Sequence, residues 1–271
     1  AAGEQPRDPT ALAFDAAGRT LHVMDGEGRR LLRYAEDGRR LDYAYTNSGH
    51  SGASLGVLAG GDLLVGGERR VTRDSVTLLA VYRPDGRLRR TFLRMDPGVI
   101  ARDEHVLLPV TMAVDEDRGI LAAEPTSFLL RRFSAEGAEL ARFGQAPPGY
   151  AAPSPRPRTG GLSDGLEHWL EGWTPLVYLH AGGGLAFAGY EVRRPYHGVQ
   201  LDVYDGEGGR VAAGLLSQGW PTCAAGRTLV FLRRVAADVT ELSAWEYVGP
   251  GADAAGARRA AAHPRREEAG A

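Results

Sequence analysis

The residues best able to do chemistry in this chain gather in one short stretch. His168-Trp169-Leu170-Glu171-Gly172-Trp173 is followed, after one apolar run, by Tyr190-Glu191-Val192-Arg193-Arg194-Pro195-Tyr196-His197, and Trp220 lies a little further on. Trp169, Trp173, Tyr196 and Trp220 can stack on a ring or cover an apolar surface, while Glu191, Arg193 and His197 can pair with polar or charged groups. Brought to one rim, this set has the composition of a pocket for a polar, ring-bearing or acidic ligand. The same aromatics would also serve to cap a sheet and pack on a neighbouring loop, and residue type alone does not choose between the two. No catalytic group is singled out.

Metal and nucleotide chemistry find little purchase. The seven histidines are His22, His50, His105, His168, His180, His197 and His263, and none forms a close pair at the usual ligand spacings. His50, His105, His168 and His197 could meet only as a discontinuous site, so no metal and no cofactor is expected. Cys223 is the only cysteine, which excludes an intramolecular disulfide and a cysteine-based zinc site; it reads as a small buried hydrophobe. No phosphate-cradling loop or dinucleotide fingerprint occurs.

The elements that must position these residues repeat. From Pro9 to Leu41 the chain alternates apolar runs of strand length with Gly-bearing turns, four strands and three turns in all, and Val110 to Leu140 repeats that order. The unit is paced by paired glycines: Gly18 with Gly38, Gly119 with Gly137, and, stretched in the middle loop, Gly61 with Gly86 and Gly184 with Gly208. A fifth, weaker copy runs from Gly219 to Tyr247 and shows no fourth strand. No segment holds a helical period, so an α/β fold lacks its helices. The fold class expected is therefore all-β: a β-propeller of four-stranded antiparallel blades, five of them countable, in which a six-bladed ring would need a blade the sequence does not display. Residues 1–248 form this domain, with a Pro-rich loop at 145–165, and 249–271 read as a flexible C-terminal tail.

The first repeat resembles the NHL type of blade through Val23, Asp25, Arg30, Leu31, Tyr34, Asp37 and Gly38; in the third copy Glu124 and Leu129 replace the Asp and Arg while Leu130, Phe133 and Gly137 hold. The resemblance extends from about Pro9 to Tyr247 and points to the bacterial six-bladed propellers, many of them exported. Asp25 and Arg30 flank the middle loop and are expected to pair and hold strand register. Some NHL-like enzymes carry a His-ligated zinc. Sugar-lactone hydrolases of this architecture use Glu, Asn and Asp around a divalent cation, for which Asn47, Glu68, Asp103 and Glu124 are the residues to hand, without the motif that surrounds them there.

In such blades the middle loops and the blade-to-blade connections share one face. That face is the expected binding surface, and it collects Glu68–Asp74, Arg94–His105, Glu191–Gly198 and the Pro-rich loop, with His180 at the opposite end. A formal net charge of -2 over 271 residues gives no reason to expect nucleic acid, and no apolar run is long enough to span a membrane. All 32 basic residues are arginine. The start Ala1-Ala2-Gly3-Glu4 suits a mature chain left by signal cleavage, a fragment or an ordinary start alike. The first reading is a soluble, noncatalytic propeller that binds an unknown small ligand or protein partner; the second is a metal-dependent hydrolase or lyase; the third is a repeat module of a larger assembly.

Overall fold

The structure is a computed structural model that describes residues 6, 8–15, 18–25, 30–46, 51–72, 75–95, 97, 110–115, 117–123, 127–152, 172–192, 198–217, 219–235 and 240–249, with backbone alone at 51–53, 68–72 and 234. All nineteen elements among the described residues are β-strands, grouped in five antiparallel sheets. Blade one holds β1 (Pro9–Phe14), β2 (Thr20–Asp25), β3 (Arg30–Ala35) and β4 (Arg40–Tyr45). Blade two holds β5 (Ser51–Val57), β6 (Leu63–Thr72), β7 (Ser75–Tyr82) and β8 (Leu88–Arg94); blade three holds β9 (Thr111–Asp115), β10 (Gly119–Ala123), β11 (Leu130–Phe133) and β12 (Glu139–Phe143). Blade four holds β13 (Leu176–Gly182), β14 (Leu185–Val192), β15 (Gly198–Tyr204) and β16 (Arg210–Ser217); blade five has three strands, β17 (Trp220–Ala225), β18 (Thr228–Arg234) and β19 (Thr240–Glu246). No sixth blade stands among the described residues, and the missing fourth strand of the fifth is as its sequence indicates.

The glycines that pace the repeat are fixed by the turns they make. Gly18, Gly38, Gly61, Gly86, Gly119, Gly137, Gly184 and Gly208 all have φ between 60° and 100°, from 66° at Gly18 to 91° at Gly119, where a Cβ is costly. The turn between third and fourth strands is one device used four times. Gly38 N–H donates to Ala35 O and Ala35 N–H to Arg39 O; the same pair of bonds recurs at Arg83/Gly86/Arg87, Ser134/Gly137/Ala138 and Asp205/Gly208/Gly209. Asp37, Asp85, Ser134 and Asp205 each accept a backbone N–H from within the turn.

The three middle blades are apolar on both faces because each is packed on both faces. Met24 and Leu31 of blade one pack with Leu63, Val65, Ala80 and Tyr82 of blade two. Leu79, Val81 and Leu93 of blade two meet Ile120, Ala122 and Phe133 of blade three. Leu121 and Leu130 of blade three meet Leu179, Ala188 and Tyr190 of blade four. Phe187, Val199 and Leu201 of blade four meet Leu229 and Phe231 of blade five. Among the described residues no such cluster joins blade five to blade one.

Outer strands lock onto the next blade's turn. A Cβ built on Gly137 would come within 3.0 Å of the Phe92 ring, and one on Gly208 within 2.6 Å of the Phe143 ring. A Cβ built on Gly86 would come within 2.5 Å of Tyr45 O. Arg90 and Arg132 add hydrogen bonds across the same junctions, to Ala135 O and Gly206 O.

Two sequence expectations are corrected here. The stretch Glu68–Asp74 is not a long loop: β6 and β7 continue through it as an extended hairpin with two register shifts, because alternating residues from Arg69 to Thr77 can keep pairing beyond the core. Cys223 is exposed rather than buried, since its strand β17 belongs to the end blade, against whose outward face no described sheet packs.

Candidate functional site

The site begins with Asp25 and Arg30, the ends of β2 and β3 flanking the middle loop of blade one. They face each other in register and form an ion pair, with Asp25 fully buried and also accepting the Asp8 N–H at 2.5 Å. The expected register clamp is present. Three further pairs tie third to fourth strands: Arg33 with Asp42, Arg131 with Glu139, and Arg210 with Asp202 at 3.3 Å. Arginine hydrogen bonding holds the carboxyls of Asp42 and Glu139 below their ordinary range, the Asp42 shift led by Arg33 and the Glu139 shift by Arg142.

At blade four the chain builds a stiff base beneath the middle loop. Ala151 and Thr174 exchange two hydrogen bonds of 3.1 Å, Thr174 N–H to Ala151 O and Ala151 N–H to Thr174 Oγ1. This closes the mouth of the Pro-rich loop against the entry to β13. Glu191 N–H donates to Pro175 O at 2.9 Å, Tyr190 OH reaches Phe128 O at 3.4 Å, and Phe128 meets Tyr150 edge to face at 5.1 Å. Burial first, then the neighbouring Tyr204 and Asp202, holds the Tyr190 hydroxyl protonated well above the usual phenol range.

Three of the seven binding candidates lie among the described residues. Trp173, at 3% exposure, is buried two residues before Pro175, whose carbonyl accepts the Glu191 N–H, and Glu191, at 8%, is the penultimate residue of β14. Trp220 occupies the start of β17, the position one blade on from Leu176 at the start of β13, and is 37% exposed. Trp169, Arg193, Tyr196 and His197 lie outside the described residues, as do His50, His105, His168, Asn47, Asp103 and Glu124 and the side chain of Glu68. The structure thus sets Trp173 and Glu191 at one joint and Trp220 on the neighbouring blade at the same end.

Other polar groups serve the joints between blades. His180 Nε2 lies 3.1 Å from Gly226 O and its ring stacks on Phe187, so it fastens blade five to blade four, and burial holds its pKa below 6.5. His22 is buried in β2 and burial again lowers its pKa. Among the described residues no group of three or more His, Cys, Asp or Glu side chains could hold a metal ion. A groove of about 600 Å³ that sequence reading missed runs between β4 and the third turn of blade two, lined by Tyr43, Tyr45, Asp42, Arg33 and Pro84. Its signal was the pair of tyrosines on an outer strand, whose rings meet edge to face at 5.6 Å.

No family model matches the chain, and no curated protein matches it in sequence. Solved structures match its fold. The structure of U3-55K superposes with a TM-score of 0.53 at 11% identity, over 90% of this chain and 62% of that one. The hydrazine synthase of Kuenenia stuttgartiensis gives 0.55 at 10% identity, over 90% and 65%. The WD40 repeats of RRP9 give 0.49 at 9% identity, over 90% and 77%. The chain spans less than two thirds of the length of the first two. At these identities the likeness concerns architecture: the chain is an all-β protein of stacked propeller blades.

Proposed function

We propose that this chain is a noncatalytic, NHL-like binding propeller whose blade-four rim receives a polar, ring-bearing or acidic group of a protein partner or small ligand. The observation that carries this reading is the buried base of the middle loop. Glu191 and Tyr190 are buried and hydrogen-bonded to Pro175 O and Phe128 O, and Trp173 is buried next to Thr174, which bonds Ala151 of the Pro-rich loop. A rigid foundation lowers the entropy lost when the loop it carries, with Arg193, Tyr196 and His197, takes hold of a ligand. Fold likeness assigns neither binding nor catalysis, since one neighbour is a hydrazine synthase, so the reading rests on the site.

The test is an array of short acidic and aromatic peptides probed with the wild-type chain, with Arg193→Ala/Tyr196→Ala, and with Arg39→Ala at the opposite end as control. Bound peptides should lose at least tenfold in affinity with the loop variant, about 1.4 kcal/mol, and nothing with the control. Equal binding by all three folded proteins would remove the rim from consideration.

A further inference from the structure

The repeat lets each seam between blades be compared with the others position by position. In blades one to four the third strand carries a leucine, an aromatic three residues on and the turn glycine four beyond that, as with Leu31, Tyr34 and Gly38. Opposite that leucine the outer strand places Ala44, Phe92, Phe143 and Leu215 in turn. The two phenylalanines seal their seams, Phe92 against Gly137 and Phe143 against Gly208. The seam between blades one and two has no such ring: Ala44 stands in that place, and Gly86 faces the Ala44 methyl and the Tyr45 carbonyl. Its arginine does not cross either. Arg132 reaches Gly206 O in the next blade's turn, whereas its counterpart Arg33 doubles back onto Asp42 of its own blade through two hydrogen bonds. The positions of ring, arginine and turn carbonyl, here Ala44, Arg33 and Pro84, all line the groove of about 600 Å³.

We propose that this groove is a second binding site, separate from the blade-four rim, and that it takes an aromatic side chain of a partner protein's peptide segment, followed there by a basic residue. The chain itself states the chemistry of the occupant, because at two equivalent seams the place is filled by a phenyl ring. Tyr43 and Tyr45, at 54% and 57% exposure, wall the groove with rings that meet edge to face at 5.6 Å. The Arg40 guanidinium already lies over the Tyr43 ring, 5.9 Å from its centroid, so stacking of a third aromatic falls to Tyr45. Charge selects the neighbour. Arg33 and Asp42 neutralise each other, while Asp85 meets only Arg87, at 3.7 Å and with both side chains more than half exposed. So loose a surface pair leaves the Asp85 carboxylate able to attract a second cation. The volume lies within the range of about 300–1,000 Å³ usual for small-ligand clefts, and its openness to solvent predicts weak, reversible capture.

The probe is a capped tetrapeptide, glycine-phenylalanine-arginine-glycine, titrated onto the full chain by ligand-observed NMR, and it should bind with a Kd of about 1 mM or tighter. Its counterpart with alanine in place of phenylalanine should bind at least tenfold more weakly. Ala44→Phe supplies the missing ring from within and should also lower affinity at least tenfold. Should that variant fail to fold, Tyr45→Ser at an exposed wall position tests the same point. Leu140→Ser, at 60% exposure on the outer strand of blade three, should leave the affinity as it is. Asp85→Asn keeps the oxygen that accepts the Arg87 N–H and should weaken the arginine peptide severalfold without changing the affinity of a glutamine version. Absence of saturable binding up to about 5 mM overturns the proposal. So does equal binding of the alanine peptide, or wild-type affinity in a folded Ala44→Phe or Tyr45→Ser chain. Unchanged affinity of the arginine peptide for Asp85→Asn overturns the basic half of the recognition.

Discussion

Phe143, at the end of the outer strand of blade three, rests against Gly208 in the third turn of blade four, where a Cβ would come within 2.6 Å of its ring. The two residues are far apart in sequence, yet each needs the other. The glycine supplies both a left-handed backbone and the space for the aromatic, and the aromatic seals the outer end of the junction.

Gly208→Ala should therefore destabilise the fold by two additive effects, backbone strain of about 1–2 kcal/mol and overpacking of about 1–3 kcal/mol. Gly38→Ala meets nothing within 4 Å at φ 79° and should show the strain alone. Urea unfolding of the two variants measures the difference, and equal losses would mean that the ring moves aside freely.

Trp173→Ala should cost about 3–5 kcal/mol of stability, because the ring is buried to 3% exposure. Trp220→Ala, at 37% exposure, should cost less. Denaturant midpoints compared at matched m-values check the order. Binding measured with Trp173→Ala must then be corrected for its unfolded fraction.

Removal of one partner from Asp25–Arg30 should be far more damaging than removal from Arg33–Asp42. Asp25 is fully buried, so Arg30→Ala removes a countercharge from a desolvated carboxylate and should cost about 3–5 kcal/mol. Arg33 and Asp42 are 31% and 47% exposed in their side chains, and Arg33→Ala should cost less than about 1 kcal/mol. Thermal melts of the two arginine variants decide the matter.

Stability should fall with acid in two stages. Burial depresses the pKa of His22 and His180 below 6.5, so the unfolded chain binds protons first as pH drops below that value and stability declines. Hydrogen bonding depresses Asp15, Asp42 and Glu139 below ordinary values of 3.8, 3.8 and 4.5, so their contribution is present above that range and is lost as pH falls through it. His22→Gln should flatten the first stage and leave the second, as read from urea midpoints at closely spaced pH values.

Much of the architecture was legible because it is written in local chemistry. Gly38, Gly86, Gly137 and Gly208 announce their turns, since few other residues accept that backbone, and the clean strand alternation between them gives the blades. The Asp25–Arg30 clamp was legible for the same reason: its members flank one loop. What depends on contacts between distant segments was not. The Ala151–Thr174 clamp next to the buried Trp173 is announced by no spacing, and the exposure of Cys223 follows from its place in an end blade. The extension of β6 and β7 through Glu68–Asp74 was missed because charged, weakly apolar residues read as loop although their backbones can still pair.

The number of seams that hold each sheet has consequences for how the row comes apart. Among the described residues blades two, three and four each share buried clusters with two neighbours, whereas blades one and five share one with a single neighbour. Loss should therefore start at Trp220–Glu246, the sheet with three described strands, and travel inward seam by seam, leaving the central trio the last to exchange its amide protons.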